Sequence, residues 1–323
     1  SANTTRLRPG RPPRPSLVDP QGRTLDYLRL AVTDRCNLRC SYCIPTEGIE
    51  QIPHREIMTL EETLRVCGLF TELGVRKVRV TGGEPLVRKG VVPFLGRLAD
   101  LPARPEVLLT TNGLELGQHL SDLRAGGLRR VNLSLDSLKA ATWSEITHRQ
   151  GFEKVRAVLD AVLEMGLGLK INMVVLPGVN DSEIPDFVEL TRNRPLTVRF
   201  IEPMPFDGAG QAFEEAISGP EILLRLRSRY ELTPVEQPAT AVDSLFHVRG
   251  FKGCVGIIEG HSRTFCATCS RLRLDSRGRL RTCLYGAPGV NLKGMMRDGG
   301  SDDDLVDAIR TEISFRFSDG TKA

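Results

Sequence analysis

The sequence predicts an α/β fold: an incomplete (β/α)6 TIM-type barrel followed by a small C-terminal α+β domain. Three observations predict it. From about residue 25 to 204, short β-rich runs alternate with helical runs, and such alternation with right-handed crossovers yields a parallel sheet with helices outside. Only six strand–helix units can be drawn, too few for a complete eight-stranded barrel. After residue 204 the pattern changes to short alternating runs.

Taken in order, residues 1–22 are expected to form a disordered tail. Its first part holds Arg6, Arg8, Arg11 and Arg14, four prolines and no acid, and a segment so poor in core-forming residues cannot offset its ordering entropy. The barrel is placed at 23–206. Strands are expected at 25–32, 77–81, 106–112, 130–136, 169–175 and 197–202, with helices at 60–73, 93–101, 118–124, 153–165 and 184–192. Asp207-Gly208-Ala209-Gly210 is a break, and residues 207–323 make the C-terminal domain. There a helix near 220–230 precedes β-like runs at 245–249, 254–258, 271–275 and 279–284, with a hairpin turn at Asp275-Ser276-Arg277-Gly278. Residues 302–315 read as a last helix whose acidic first turn suits the helix dipole.

Hydrophobic content of 40% and charged content of 26% suit a water-soluble globular chain. A net charge of +4 is too mild to argue for nucleic acid. No apolar run is long enough to cross a bilayer and the first residues carry no apolar secretory stretch, so a cytoplasmic protein is expected. Of eight cysteines, six fall into two tight groups. A disulfide framework suits a short secreted chain, and in a reducing cytoplasm close thiols are more often metal ligands. Cys67 lies between Leu64 and Phe70 at helical spacing and reads as a core thiol, as does Cys254 in a β-like run.

Cys36, Cys40 and Cys43 have the spacing C-x3-C-x2-C directly after the first strand, with Tyr42 before the third. Three thiolates on one loop can ligate three irons of a [4Fe–4S] cube, leaving the fourth iron for another ligand. Structural zinc wants four ligands, and no fourth is near. The loop resembles the radical S-adenosylmethionine (SAM) signature in full. Thr81-Gly82-Gly83-Glu84-Pro85, at the end of the second strand, corroborates it.

Strand parity then assigns a lumen. Arg29, Lys77, Arg79, Thr110, Lys170 and Arg199 fall on polar strand faces opposite the apolar ones, together with Asn132, Ser134, Asp136 and Asn172. So many cations could not be sealed away unpaired. The lumen must admit water or an anion, and clustered Arg and Lys suit phosphates. No P-loop motif is present.

Cys266 and Cys269 with Cys283 give C-x2-C-x13-C. A second [4Fe–4S] cluster with an open iron fits this set; zinc completed by His261 or Cys254 fits it too. Arg271 and Arg273 alternate onto one strand face beside it.

Together these residues resemble the GTP 3′,8-cyclase (MoaA) family of molybdenum cofactor biosynthesis. The resemblance runs from about residue 25 to 317 and includes Thr-Thr-Asn-Gly, Asn-Leu-Ser-Leu-Asp, Arg-Phe-Ile-Glu-Pro-Met and Phe-Cys-x2-Cys-x-Arg-Leu-Arg-Leu. It implies conversion of GTP to (8S)-3′,8-cyclo-7,8-dihydroguanosine 5′-triphosphate with SAM and two [4Fe–4S] clusters. By matching position, Cys36, Cys40 and Cys43 would bind the SAM cluster, and Tyr42, Gly83, Ser134 and Met204 would contact SAM. Arg29, Lys77, Arg79, Thr110, Lys170, Arg271, Leu272 and Arg273 would bind GTP. Cys266, Cys269 and Cys283 would hold the second cluster, and Arg199, Arg271 and Arg273 would assist the final reduction. The implied partners are a one-electron reductant of the flavodoxin or ferredoxin kind and a downstream cyclic pyranopterin monophosphate synthase; a homodimer is allowed, and neither membrane nor nucleic acid is implied. The family usually ends in Gly-Gly, and the sequence here stops at Thr321-Lys322-Ala323. Two other functions were weighed. A two-cluster peptide-modifying enzyme predicts a peptide-binding N-terminal domain, and a zinc-stabilised binding module predicts four-ligand zinc spacing. The sequence gives neither.

Overall fold

The computed structural model of the chain describes residues 14–43, 52–203, 216–260 and 266–318. Six strands form where polar and apolar residues alternate: β1 (Tyr27–Ala31), β2 (Lys77–Thr81), β3 (Glu106–Thr111), β4 (Arg130–Ser134), β5 (Gly168–Val174) and β6 (Thr197–Ile201). Their apolar faces pack beneath helices α1 (Leu60–Glu72), α2 (Val91–Ala99), α3 (Leu120–Ala125), α4 (Ala140–Thr147), α5 (Phe152–Glu164) and α6 (Ile184–Glu189). Val78, Val80, Val131, Leu133, Ile171, Val198 and Phe200 are fully buried in that layer. α1 begins at a capping box, in which Thr59 and Glu62 each bond the other's backbone N–H.

The later chain adds α7 (Gly219–Arg227), β7 (Leu232–Pro234), β8 (Asp243–Val248), β9 (Cys254–Ile258), β10 (Arg271–Leu274), β11 (Leu280–Arg281), α8 (Leu292–Arg297) and α9 (Asp302–Ser314). These strands do not form a sheet of their own. All eleven make one sheet, in the order β11-β10-β1-β2-β3-β4-β5-β6-β9-β8-β7. β10 runs parallel to β1 and β9 parallel to β6. The six-strand barrel is thus lengthened at both edges by strands from the far end of the chain, which puts Arg271 and Arg273 on the same wall as Arg29.

The end of the expected tail, residues 17–22, is part of the fold. Residues 1–13 lie outside the described residues, but Leu17 is in the core and Val18 bridges to Thr24. The reason is local: Leu17 supplies an apolar anchor, and its N–H bonds the carbonyl of Leu73. The break at 207–210 also lies outside the described residues. Helix α4, unexpected from the sequence, carries its apolar contacts on Trp143 and Ile146.

Candidate active site

The register of the sheet decides how the lumen cations meet. Arg273, Arg29 and Arg79 are direct neighbours across β10, β1 and β2. One row below, Arg271, Tyr27 and Lys77 are aligned in the same way. At a strand spacing of about 5 Å, adjacent like charges repel by up to about 3 kcal/mol at an effective dielectric of about 20. Nothing within the row neutralises them. Arg29 Nε and Arg271 Nη2 are buried without a hydrogen-bond partner. Arg79 donates to the Tyr27 hydroxyl and to Thr110 Oγ1, and Arg199 Nε donates to Asn172 Oδ1 at 2.9 Å. Those hydrogen-bond partners are neutral, so they orient the guanidiniums without pairing their charge.

These side chains enclose a cavity of about 390 Å³. Its walls include Arg29, Arg79, Thr110, Arg199, Arg271 and Arg273, with Tyr42 on one side and Cys266, Cys269 and Cys283 on another. Burial, then the charges of Arg29 and Arg271, pull the pKa of Arg273 down to about 9. Burial pulls that of Arg199 down to about 10, against the pull of Asp243. Both remain cations at neutral pH, so the cavity is an anion site of high field.

The sequence-expected residues divide. Arg29, Arg79, Thr110, Arg199, Arg271, Arg273 and Tyr42 line the cavity. Lys77, the first residue of β2, pairs with Glu106 at 3.4 Å, and Lys170, within β5, faces Asp243 at 4.0 Å; neither lines the cavity. Leu272 turns its side chain into the core, fully buried, so only its backbone could reach a substrate. Ser134 is half-buried beside Asn172. Met204 lies outside the described residues, as does His261.

The first cysteine loop is fixed by backbone bonds. Arg39 N–H and Ser41 N–H donate to the carbonyls of Thr147 and Ile146 at the end of α4, both at 2.9 Å. Tyr42 OH donates to Asp136 at 2.8 Å, and the other Asp136 oxygen accepts from Val174 N–H. Burial raises the Cys36, Cys40 and Cys43 thiols; Glu84 adds to it at Cys36, and Asp136 and neighbouring sulfurs add to it at Cys40 and Cys43. The three sulfurs are therefore close enough to feel one another's charge.

Gly82 and Gly83 also have a packing role that the sequence did not reveal. A Cβ on Gly82 would stand 2.5 Å from the Thr33 carbonyl oxygen, and one on Gly83 2.3 Å from that of Arg35. Gly83 N–H and Glu84 N–H donate to these same two carbonyls, at 2.9 and 2.8 Å. The glycines let the turn weld itself to the segment that launches the cysteine loop. Gly83 remains exposed, so its backbone is still open to a ligand.

Glu84 was not picked out from the sequence. Its buried carboxylate accepts from Leu86 N–H, Thr111 Oγ1 and Asn112 N–H, and Asn112 Nδ2 donates to Asn37 within the cysteine loop at 2.7 Å. The signal that could have found it was a lone acid after two glycines at a strand end, where backbone donors fan out. Asn132 was placed on the lumen face without a role; its Oδ1 is buried and unpartnered beside the arginines.

Cys266–Thr268 forms a 3-10 turn, and Cys269 N–H donates to the Cys266 carbonyl at 3.3 Å. Burial would raise the Cys269 thiol, but Arg271 and Arg316 outweigh it and the pKa is lowered. Cys269 and Cys283 both act on Arg273, and Cys266 and Cys283 both act on Tyr285. Among the described residues no three His, Cys, Asp or Glu side chains converge on a single metal ion. A [4Fe–4S] cube asks something else of its thiolates, one on each of several irons, and three thiols from two segments lining one cavity fit that demand.

Known proteins share these features. The Radical SAM superfamily matches residues 30–191, and Molybdenum Cofactor Synthesis C matches 196–320. A GTP 3′,8-cyclase of Geobacter sulfurreducens is 46% identical over 86% of this chain and 86% of its own length. Molybdenum cofactor biosynthesis protein 1 of Drosophila melanogaster is 43% identical over 92% of this chain, which spans 53% of that longer protein. Among solved structures, Streptococcus suis SuiB superposes with a TM-score of 0.63 at 14% identity, covering 93% of this chain and 72% of that one; the likeness is one of fold. No helix among the described residues is long and apolar enough to cross a membrane.

Proposed function

The chain belongs to the radical SAM superfamily and, within it, to the GTP 3′,8-cyclases of molybdenum cofactor biosynthesis, and on that premise we propose how its residues divide the reaction. It is an enzyme of the first step of that pathway, acting on GTP with SAM and an iron–sulfur cluster. The observation that carries the assignment of roles is the row Arg273–Arg29–Arg79, three cations on the wall of one cavity that Tyr42 of the first cysteine loop and Cys266, Cys269 and Cys283 also line.

Cys36, Cys40 and Cys43 would hold the cluster that binds SAM, and Cys266, Cys269 and Cys283 would hold a second [4Fe–4S] cluster. Bound there, SAM would supply the 5′-deoxyadenosyl radical chemistry that joins the ribose C3′ to guanine C8. The protein's own work is binding and orientation. The Gly83 backbone, Tyr42, Ser134 and Met204 position SAM. The arginine row takes the triphosphate, offering bidentate donors that water would otherwise satisfy. Lys77 and Lys170 exchange Glu106 and Asp243 for phosphate oxygens, and the Leu272 backbone completes the pocket. Arg199, Arg271 and Arg273 stabilise negative charge as the product is reduced. A flavodoxin- or ferredoxin-like protein would donate the electron in the cytoplasm, a cyclic pyranopterin monophosphate synthase would take the product, and the chain would work alone or as a homodimer.

Anaerobic incubation of reconstituted protein with SAM, dithionite and GTP tests this, with nucleotides followed by mass spectrometry. The expected products are 5′-deoxyadenosine and a cyclised GTP isomer. Arg29→Ala should lower cyclisation at least about a hundredfold, in the range typical of losing a preorganised charge donor. An Arg29→Ala enzyme with unchanged GTP turnover would overturn the role given to the row.

A further inference from the structure

Asp19 does not line the cavity, yet its bonded partners reach the second cysteine set. It is 4% exposed, and both its oxygens are fully engaged. Oδ1 accepts from Gln21 N–H and Arg23 N–H at 3.1 and 2.9 Å. Oδ2 accepts from Arg23 Nε at 2.6 Å and from Arg316 Nη1 at 2.8 Å. Two guanidiniums are thus anchored on one buried carboxylate.

Some of their remaining N–H groups reach the cysteine segments, while Arg23 also donates to Gln21 Oε1 and to the carbonyls of Phe317 and Ser318. Arg23 Nη1 donates to the carbonyl of Cys266. Arg316 donates to the carbonyl of Cys269 at 3.0 Å and to that of Thr282, the residue before Cys283, at 2.9 Å. One carbonyl at or next to each of the three cysteines is therefore held by a guanidinium that Asp19 orients. Arg316 Nη2 adds the Arg271 carbonyl at 3.4 Å, which ties the clamp to β10. The three cysteines come from two separate segments, and no single turn could fix all of their backbones. Arg is suited to the task because its planar donors are rigid and stay charged.

We propose that Asp19, Arg23 and Arg316 form a positioning clamp that holds Cys266, Cys269 and Cys283 in cluster-ready geometry and sets how firmly the second cluster is retained. The proposal rests on the reading of those cysteines as ligands of a second cluster. It makes residues 16–23 and the end of α9 parts of the active site, although neither reaches the substrate cavity.

The test uses two backgrounds of the full chain, one with Cys36, Cys40 and Cys43 all changed to Ala and one with Cys266, Cys269 and Cys283 all changed to Ala. Each is reconstituted anaerobically, and iron release to EDTA is timed. In the first background, Asp19→Asn and Arg316→Gln should speed release about tenfold to a hundredfold, the scale of second-sphere losses at metal sites. Arg316→Lys, which keeps a charge and donors, should recover most of the retention. In the second background the same substitutions should leave release unchanged. Unchanged release in the first background overturns the clamp and leaves the second cluster standing. Equal acceleration in both backgrounds also overturns it, since the residues would then act on the fold at large. If the first background binds no iron before any further substitution, the second-cluster reading fails and takes the clamp with it.

Discussion

Cys36, Cys40 and Cys43 occupy one continuous loop, whereas Cys266, Cys269 and Cys283 come from two segments. The first loop is welded by backbone bonds to α4 and to the Gly82–Gly83 turn, with the buried acids Glu84 and Asp136 around it. The second set is gathered by Arg23 and Arg316 and faces Arg271 and Arg273. Their thiols respond in opposite ways: burial raises Cys36, Cys40 and Cys43, while arginine charge lowers Cys269 against its burial. An acidic frame suits a loop that must hold a cluster next to a cationic SAM. A basic frame suits a set that shares its cavity with a polyanion. The same ligand count is thus placed in two fields, each matched to the charge of its proposed visitor.

The largest effect expected is a split in the chemistry. Cys40→Ser should abolish 5′-deoxyadenosine formation. Cys269→Ser should leave it in place while cyclised GTP falls at least about a hundredfold, as loss of a metal ligand exceeds a second-sphere change. Quantifying both products from one reaction checks it. If Cys269→Ser also abolishes deoxyadenosine, the two sets do not have separate duties.

Next in size is a difference in backbone tolerance. A methyl on Gly83 would meet the Arg35 carbonyl carbon and oxygen at 2.5 and 2.3 Å, and backbone cannot step aside as a side chain can. Gly83→Ala should cost about 3 kcal/mol. Gly250, at φ +78, has nothing within 4 Å of such a methyl. Gly250→Ala should cost only left-handed strain, about 1–2 kcal/mol. Urea unfolding of the metal-free variants compares them, and equal costs would mean the cysteine loop is less firmly welded than its geometry says.

Much of this was legible before the structure. All six barrel strands fall where the alternation put them, and Arg29, Arg79, Thr110 and Arg199 line the cavity because a period of two fixes which face a side chain takes. Period says nothing of depth, so Lys77 and Lys170 share that face yet pair with Glu106 and Asp243 and do not line the cavity. Nor does local pattern encode partners hundreds of residues away. The parallel pairing of β10 with β1, and the meeting of Asp19 with Arg316, depend on tertiary packing. Asp19-Pro20-Gln21-Gly22 did carry a turn signature, but the arginine- and proline-rich stretch before it masked the signal. Helix α4 was missed because its apolar contacts rest mainly on Trp143 and Ile146, too few for a visible helical period.

The sharpest contrast expected is in pH dependence, between two buried carboxylates, one beside each cysteine set. Burial lifts the Asp136 pKa from 3.8 to about 6, against the bonds from Val174 and Tyr42 that favour its charge. Asp19 is lowered: burial would raise it, but the bonds from Arg23 and the charges of Arg23 and Arg316 prevail. For Asp136 the folded state binds its proton more tightly than the unfolded state. Its contribution is therefore fully present below the ordinary carboxylate range and is lost as pH rises toward about 6. Asp19 runs the other way, with its stabilisation present above the ordinary value and lost as pH falls through its depressed one. Asp136→Asn mimics the protonated acid, which can donate to the Tyr42 oxygen and still accept from Val174. Its stability relative to the native chain should climb between about pH 4 and 6 and then level. At about 1.4 kcal/mol for each pH unit of that window, the ceiling is about 3 kcal/mol. Asp19→Asn should be less stable than the native chain at pH 7, with the gap closing in acid. Thermal unfolding of the metal-free proteins across pH 3–8 reads both slopes. Slopes of the same sign would break the contrast, because the two carboxylates could not then sit in opposite fields.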